Sequence, residues 1–161
     1  MRQVTIKDLA RELNISIATV SRALRNAPDI NPNTKKAVID LATSLNYEPN
    51  YIAQSLVKKQ TKIVGVIVPS IQSNYFANAI SGMTDVATDH GYYLMICQSN
   101  ETEALEISNI KKLVSCHVDG LLISISKETK DCEEFERIAD KGIPIVMFDR
   151  FLPNFICNKV W

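Results

Sequence analysis

VTIKDLARELNISIATVSRALR, residues 4 to 25, decides how the first part of this chain folds. Thr5 precedes Asp8 by three residues, which is the spacing of a capping box and predicts that a helix begins there. Apolar residues then recur at helical spacing and predict one buried face, made of Ile6, Leu9, Ala10 and Leu13. Asn14 stands where the chain must reverse, because asparagine is second only to glycine in tolerating the left-handed conformation. The stretch therefore predicts two short helices joined by a tight turn.

The second of these helices is predicted to begin after Ser16, whose hydroxyl suits a helix cap. Its inward positions are apolar, namely Val20, Ala23 and Leu24. The opposite face carries short or basic residues, namely Ile17, Ala18, Ser21, Arg22 and Arg25. Short side chains let a helix lie deep in the major groove of DNA, and arginine reaches base edges or phosphates. This face is therefore predicted to contact DNA.

A third helix is predicted to begin at Asn31 and Pro32, a capping residue followed by proline at the first helical position. It is expected to run to about Leu45, with an inner face made of Ala37, Val38, Leu41 and Leu45. Asn46 suits a left-handed helix end, and Pro49 prevents the helix from continuing. Residues 1–49 are thus predicted to form an all-α helix-turn-helix head.

Residues 50–61 follow as a short amphipathic segment. Asn50 suits a helix cap, and Ile52, Ala53 and Leu56 form a one-sided apolar stripe. A helix of about a dozen residues is marginal in water by itself. Two interpretations stay open, an ordinary linker or a hinge that becomes helical only when something binds it.

From Lys62 onward, apolar runs alternate with helical patterns. Strands are predicted at KIVGVIVPS, YYLMICQSN, VDGLLISIS and IPIVMFDR, and helices between them at 74–90, 101–116 and 130–141. The first of these helices is expected to bury Ala77, Ile80, Met83, Val86 and Ala87. Strands that are apolar on both faces predict a parallel sheet covered on both sides. The expected fold class is an all-α head followed by an α/β parallel-sheet domain at residues 62–161.

The net charge of zero hides an asymmetry between the two halves of the chain. Residues 1–61 carry nine Lys or Arg and five Asp or Glu, whereas residues 62–161 carry nine and thirteen. A basic head on an acidic body fits a nucleic-acid-binding module joined to a domain that does not bind nucleic acid. No apolar run approaches the ~18 residues of a membrane-spanning helix, and the N-terminus lacks a signal peptide, so the cytoplasm is the expected location.

Enzymatic and metal-binding functions find no support in the motifs. The chain has no G-x-G-x-x-G, no G-x-x-x-x-G-K-[ST] and no G-x-S-x-G, so neither catalytic residues nor a cofactor is expected. A phosphoacceptor receiver would need acidic residues where Pro69, Ser70 and residues 124–126 stand. The four cysteines form no C-x-x-C pair, and His90 and His117 add no ligand cluster, so no metal site is expected.

Four stretches together resemble the lactose-repressor (LacI/GalR) family of bacterial transcription regulators: VTIKDLARELNISIATVSRALRN, LNYEPNYIAQSL, KIVGVIVPSIQSNYF and IPIVMFDR. They stand in the order of that family's helix-turn-helix, hinge and effector domain. The resemblance implies a periplasmic-binding-protein-like effector domain of two subdomains with the ligand between them. Residues 62–161 would be the first part of that domain, and Trp161 falls about where family members cross into the second subdomain. Half of the effector pocket is therefore expected to be absent.

The resemblance implies that the second helix enters the major groove of a pseudo-palindromic operator and that the protein binds it as a homodimer. It assigns DNA contacts to Thr5, Ser16, Ile17, Ala18, Thr19, Ser21, Arg22, Arg25, Thr34, Asn50, Ala53 and Leu56. Arg22 is expected to pair with a guanine and Ile17 to contact a thymine methyl group, while hydroxyls and Arg25 contact phosphates. A stray surface position for Ile17, and capping alone for Thr5 and Ser16, stay open.

Hinges of this family fold on the operator, pair across the dimer axis and push a leucine into the minor groove. Leu56 is expected to be that wedge, with Ala53 allowing close approach and Lys58 and Lys59 neutralising phosphates. A merely packed linker leucine is the alternative. The helix at 74–90 is expected to form part of the dimer interface, as it does in relatives.

Ligands of parallel sheets bind beyond the carboxyl ends of the strands, and the resemblance implies a small sugar-like effector there. The expected contacts are Ser70, Tyr75, Phe76, Ser124, Asp149 and Arg150. Packing under the cleft rim for Tyr75 and Phe76, and a local ion pair for Asp149 and Arg150, are the alternatives. The expected function is that of a cytoplasmic, nucleoid-associated regulator, and repression is favoured over activation. A truncated DNA-binding remnant without effector response is the alternative.

Overall fold

The computed structural model describes residues 4–49 and 60–160 of the chain. These residues fall into two compact units, the head and an α/β domain. No helix among the described residues is both long and apolar enough to cross a membrane. The predicted hinge contacts Asn50, Ala53 and Leu56, together with Lys58 and Lys59, lie outside the described residues.

Residues 4–49 contain three helices, α1 (Ile6–Glu12), α2 (Ile17–Leu24) and α3 (Pro32–Ser44). The predicted caps Thr5, Ser16 and Asn31 are confirmed, since each bonds within the first turn of its own helix. The helices end at asparagines in the left-handed conformation, with φ of 50° at Asn14, 57° at Asn26 and 47° at Asn46. The tight turns predicted at Asn14 and Asn46 are therefore confirmed.

The core of the head is one small apolar cluster, made of Leu9, Ala10, Val20, Ala23, Val38 and Ala42. The predicted inner positions of Ala37 and Leu45 are wrong, because both side chains are exposed. The stripe that packs inward is Val38, Leu41 and Ala42, and Leu45 lies at the C-cap of α3, where the helix has already ended. The apolar face of α3 is therefore shorter and rotated relative to the prediction.

Residues 60–160 form an α/β domain with five strands and three helices: β1 (Ile63–Val68), α4 (Asn74–Asp89), β2 (Tyr93–Gln98), α5 (Glu103–Ser115), β3 (Gly120–Ile123), α6 (Glu133–Ala139), β4 (Ile145–Phe148) and β5 (Asn158–Val160). The strand order is β2-β1-β3-β4-β5, and every neighbouring pair is parallel. The four predicted strands and their parallel pairing are confirmed. The short edge strand β5 is not predicted, since three residues carry little periodicity.

The sheet separates two apolar layers. On one face Val66, Val68 and Phe148 pack against α4, and on the other Ile67, Ile123 and Met147 pack against α5 and α6. The inward side of α4 is the row Phe76, Ile80, Met83 and Ala87, so the predicted burial of Ala77 and Val86 is wrong. Val86 is 62% exposed, as α4 covers the sheet with a narrow stripe only.

Because all strands run in the same direction, the segments that follow them share one margin of the sheet, which we call the carboxyl edge. The segments that precede the strands share the opposite margin, the amino edge. At the carboxyl edge α5 begins at Glu103, two residues later than predicted, because Asn100 and Glu101 adopt φ of 52° and 62°. These left-handed residues turn the chain sharply and leave the Glu101 side chain free to reach the neighbouring strand ends.

Candidate DNA-contact face and carboxyl-edge site

Four of the predicted DNA contacts in α2 and its C-cap residue share the outer face of that helix, which we call the reading face and define as Ile17, Ala18, Ser21, Arg22 and Arg25. All but the half-buried Ser21 are exposed, and Ile17 is 45% exposed. The opposite side of α2 is held by the buried residues Val20 and Ala23. Packing thus fixes the orientation of the helix and presents the five residues to solvent together.

The hydroxyl residues predicted to contact phosphates carry local hydrogen bonds. Thr5 Oγ1 donates to Asp8 Oδ2 at 2.7 Å, and the Thr5 N–H donates to the same oxygen at 2.9 Å. Ser16 Oγ accepts from the Thr19 N–H at 3.0 Å and bonds to Thr19 Oγ1 at 2.8 Å. The capping role is therefore present for Thr5 and Ser16, and both residues are exposed. Thr34 is half-buried in the first turn of α3.

The two arginines of the reading face have partners within the head. Arg22 Nη2 forms an ion pair with Asp29 Oδ2, in which the two side chains are 50% and 53% exposed. Arg25 Nε donates to the Ser21 carbonyl at 3.2 Å. Exposed ion pairs contribute only about 0–1 kcal/mol, so Arg22 exchanges Asp29 for another acceptor at small cost. Asp29 lies in the loop after α2, where no sequence periodicity marks it.

At the carboxyl edge the structure brings together Ser124, Asp149 and Arg150. Ser124 is fully buried, and its Oγ donates to Asp149 Oδ2 at 3.1 Å. Asp149 adopts a left-handed φ of 61° directly after β4. Arg150 Nη1 donates to Glu101 Oε1 and Oε2 at 3.0 and 2.9 Å, and Arg150 Nε lies 3.7 Å from Asp149 Oδ2. Arg150 is therefore paired mainly with a residue of another loop and not only with its neighbour.

Ser70, Tyr75 and Phe76 follow β1 at the same edge. Phe76 is buried and packs edge-on against Tyr75 and Phe148, with ring centroids 5.1 and 6.3 Å apart. The side chain of Phe76 thus belongs to the core under the rim, and its predicted effector contact is not supported. Tyr75 is 52% exposed and available to a ligand. Ser70 Oγ accepts from the Gln72 N–H at 3.3 Å.

Two glutamates that the sequence does not single out organise this edge. Burial opposes ionisation of Glu101, but hydrogen bonds from Arg150 and from the Lys127 N–H outweigh it and lower its pKa. Glu106 is fully buried, and its carboxylate accepts from the Ser126 N–H at 2.7 Å and from Thr129 Oγ1 at 2.5 Å. Burial raises the pKa of Glu106 despite these bonds.

The helical spacing of the sequence could have identified Glu106 as a buried residue. The buried positions of α5 are Glu106, Asn109, Ile110 and Leu113, a spacing of three, four and seven residues that includes both polar side chains. No local pattern marks Glu101, because its partner Arg150 lies 49 residues away.

Each of the two parts of the chain matches a known protein family. The family of bacterial regulatory proteins, lacI family, matches residues 5–50, and a periplasmic binding protein domain matches residues 64–156. Catabolite control protein A of Priestia megaterium is 33% identical over 144 residues, which cover 89% of this chain and 43% of that protein. The same protein of Staphylococcus xylosus is 36% identical over 147 residues, with 89% and 43% covered. The chain thus spans less than half the length of these curated relatives.

Among solved structures, the lac repressor dimer bound to operator and the anti-inducer ONPF superposes with a TM-score of 0.81. That match covers 98% of this chain and 48% of the repressor chain at 23% identity, a level that shows the fold alone. It confirms the predicted helical head followed by part of a periplasmic-binding-protein-like domain. With a lacI-type head and a periplasmic-binding-type sheet in that order, the chain belongs to the lacI family of bacterial regulatory proteins, a family of transcription regulators and not of enzymes.

Proposed function

We propose that this chain acts as a sequence-specific repressor that binds a pseudo-palindromic DNA operator as a homodimer, under the control of a small sugar-like effector. The observation that carries the DNA-binding part is the reading face. Five residues on one face of α2 and its C-cap present an apolar side chain, two small side chains and two arginines, while the opposite face packs into the core of the head. A helix of this composition fits the major groove.

The homodimer is supported by apolar side chains that this chain leaves exposed on α4 and on the edge strand β2. Val86 is 62% exposed and Ile96 43%, and both lie on the same side of the sheet, because Ile96 pairs with Val66 of the layer under α4. Clusters of exposed apolar side chains on a folded domain mark interaction surfaces. A second copy of the chain would cover them, and the resulting dimer would carry two heads.

Replacing Arg22 tests the base-reading role. A duplex is first enriched from a random pool by the wild-type chain, and Arg22→Ala should then lose discrimination at one symmetric pair of positions, about 1–3 kcal/mol for a bidentate contact. Arg11→Ala is the matched control, because Arg11 is an exposed arginine of α1 outside the reading face. Binding to single-base variants of the duplex measures the difference. A uniform loss across all sequences would make Arg22 a phosphate contact instead.

The hinge part of the proposal rests on the sequence, since Leu56 lies outside the described residues. We propose that Leu56 is inserted into the minor groove at the operator centre. Leu56→Ala should weaken binding to the enriched duplex far more than binding to random DNA, whereas Ile52→Ala is a matched apolar control on the same segment. An equal loss on both duplexes would contradict the wedge.

The carboxyl edge supports a polar effector that carries no net charge. Arg150 and Lys127 are each paired with Glu101, and Asp149 and Glu128 add two further carboxylates. These five side chains sum to one negative charge, so an anionic ligand gains little from this edge, whereas hydroxyl groups can bond to both Arg150 and Asp149. Tyr75 would offer its ring to the apolar face of a sugar.

A thermal-shift screen that pairs each neutral sugar with its phosphate tests this part. The expected result is a higher unfolding midpoint with one or more neutral sugars and none with their phosphates. A shift with the phosphates alone contradicts the charge argument. No shift with any member of the screen favours the alternative, a DNA-binding chain without effector response.

A further inference from the structure

The amino edge of the sheet carries a cluster of interactions that none of the preceding functions uses. It lies where the chain enters β1, at the opposite margin from Ser124, Asp149 and Arg150. Lys62 adopts a left-handed φ of 58° there, and its carbonyl accepts the Tyr93 N–H at 2.8 Å. Asp119, in the turn between α5 and β3, forms hydrogen bonds to the residues at this entry point.

Both oxygens of the Asp119 carboxylate hold the entering chain. Oδ1 accepts from the Thr61 N–H at 2.7 Å and from Thr61 Oγ1 at 2.9 Å, and Oδ2 accepts from the Lys62 N–H at 3.0 Å. Thr61 Oγ1 also lies 2.8 Å from the His117 carbonyl, and the Asp119 N–H donates to the Ile63 carbonyl at 2.7 Å. Hydrogen bonds to an ionised acceptor are about twice as strong as those between neutral groups. Two adjacent residues are therefore fixed by one side chain 57 and 58 positions away.

Two residues near this carboxylate adopt the left-handed conformation. Lys62 has a φ of 58° and His117 one of 57°, which is uncommon for residues other than glycine. Asp119 is half-buried and lines an open groove of about 590 Å³ together with Gln60, Tyr92, His117 and Ile143. Removing its bonds therefore admits water and frees the entering chain, whereas the apolar core, formed by other residues, remains packed.

We propose that Asp119 is a positioning residue for operator binding, because it fixes the point at which the segment 50–59 leaves the α/β domain. The inference rests on the proposed DNA-binding function. Ordering a segment on DNA costs conformational entropy, and that cost rises when more residues are free beforehand. A longer free linker also lowers the effective concentration of one head at its half-site once the other head is bound. Asp119 acts on DNA only through Thr61 and Lys62 and does not touch it.

Asp119→Asn is the decisive variant, because an amide offers a single acceptor oxygen and must leave at least one of the two backbone N–H groups without its partner. Asp140→Asn is the matched control, with the same charge change at an exposed position of the same domain. Three quantities are measured on the full chain: affinity for the duplex enriched by the wild type, affinity for a random duplex of equal length, and hydrogen exchange at the Thr61 and Lys62 amides.

In Asp119→Asn we expect faster exchange at both amides, about a five- to tenfold loss of affinity for the enriched duplex and less than about a twofold change for the random duplex. Asp140→Asn should change none of them. Faster exchange with unchanged affinity for the enriched duplex would overturn the inference, and so would equal losses on both duplexes. If the wild type enriches no duplex at all, the proposed function fails and not only the role of Asp119.

Thr61→Val decides the question if Asp119→Asn does not fold. This variant keeps both backbone N–H donors and loses only the hydroxyl that bonds to Asp119 and His117. The expected result is a smaller loss, about two- to threefold and again confined to the enriched duplex, which Thr61→Ser restores. Wild-type affinity of Thr61→Val in the presence of faster exchange would contradict the proposal.

Discussion

The reading face of α2 and the carboxyl edge of the sheet both collect polar side chains, but they hold them over very different distances along the chain. Arg25 bonds to a residue four positions back, and Ser16 to one three positions on. At the carboxyl edge the separations are 25 residues for Ser124 and Asp149 and 49 for Arg150 and Glu101. The first region is built from local interactions and the second from the topology of the sheet.

This difference determines what a substitution does in each region. Four of the five side chains of the reading face are exposed, and the partners of its two arginines lie within seven residues, so a replacement there is expected to leave folding intact. Ser124, Glu101 and Arg150 of the carboxyl edge are partly or wholly buried, and their hydrogen bonds tie one loop to another. A replacement there changes the stability of the domain and the shape of the site at the same time.

The largest effect is expected for Glu106→Ala. It leaves the buried Ser126 N–H and Thr129 hydroxyl without their acceptor, and unsatisfied buried polar groups cost about 1–3 kcal/mol each. The free energy of unfolding of the α/β domain should therefore fall by about 3 kcal/mol, measured by urea denaturation. Glu103→Ala on the same helix is the control and should cost far less. Equal losses in the two variants would remove the contrast between the regions.

Asn14→Ala should destabilise the head by about 1 kcal/mol, since alanine pays the steric cost of the left-handed conformation that asparagine tolerates. Asn14→Gly should cost much less, because glycine adopts this conformation freely. Thermal unfolding followed at the head, with the α/β domain as internal reference, separates the two variants. A larger loss for glycine than for alanine would show that the turn depends on the asparagine side chain and not on φ.

Substituting one arginine in each region compares their contributions to the free energy of unfolding directly. Arg150→Ala should lower the free energy of unfolding by about 0.5–1 kcal/mol, because Arg150 is only 34% exposed and joins β4 to Glu101. Arg22→Ala should stay within about 0.5 kcal/mol of the wild type, as expected for an exposed surface position. Denaturation of both variants at low and high salt measures the difference. A stronger effect at Arg22 than at Arg150 would reverse the comparison.

The smallest effect is a change in pH dependence. Burial raises the pKa of Glu106 above its usual value of 4.5, so the folded chain binds this proton more tightly than the unfolded chain. The resulting stability is present below pH 4.5 and is lost as pH rises through the folded pKa. Glutamine does not ionise, so Glu106→Gln should not lose stability as pH rises through the folded pKa. The unfolding midpoints of variant and wild type should therefore diverge as pH rises. Parallel pH profiles would contradict the raised pKa.

The same division explains what the sequence predicts. Caps at Thr5, Ser16 and Asn31 and the turn at Asn14 follow from chemistry within four residues, and the strands follow from continuous apolar runs. The sequence wrongly predicts burial of Ala77 and Val86, because α4 covers the sheet only with a narrow stripe and apolar residues beside that stripe stay exposed. Glu101 and Asp29 escape prediction because their partners come from other elements, so only the folded chain identifies them.

The asparagines that end the helices of the head also shape how this sequence can change in evolution. The genetic code offers no single-base route from asparagine to glycine, and aspartate is the neighbour that tolerates the left-handed conformation best. Residues 4–49 carry six lysines and arginines and five acidic residues, so one such aspartate cancels the positive surplus of the described head. Drift at Asn14, Asn26 or Asn46 would thus preserve the turn and weaken electrostatic attraction to DNA. Under the proposed DNA-binding function, three positions that suit backbone geometry would therefore also be constrained by charge.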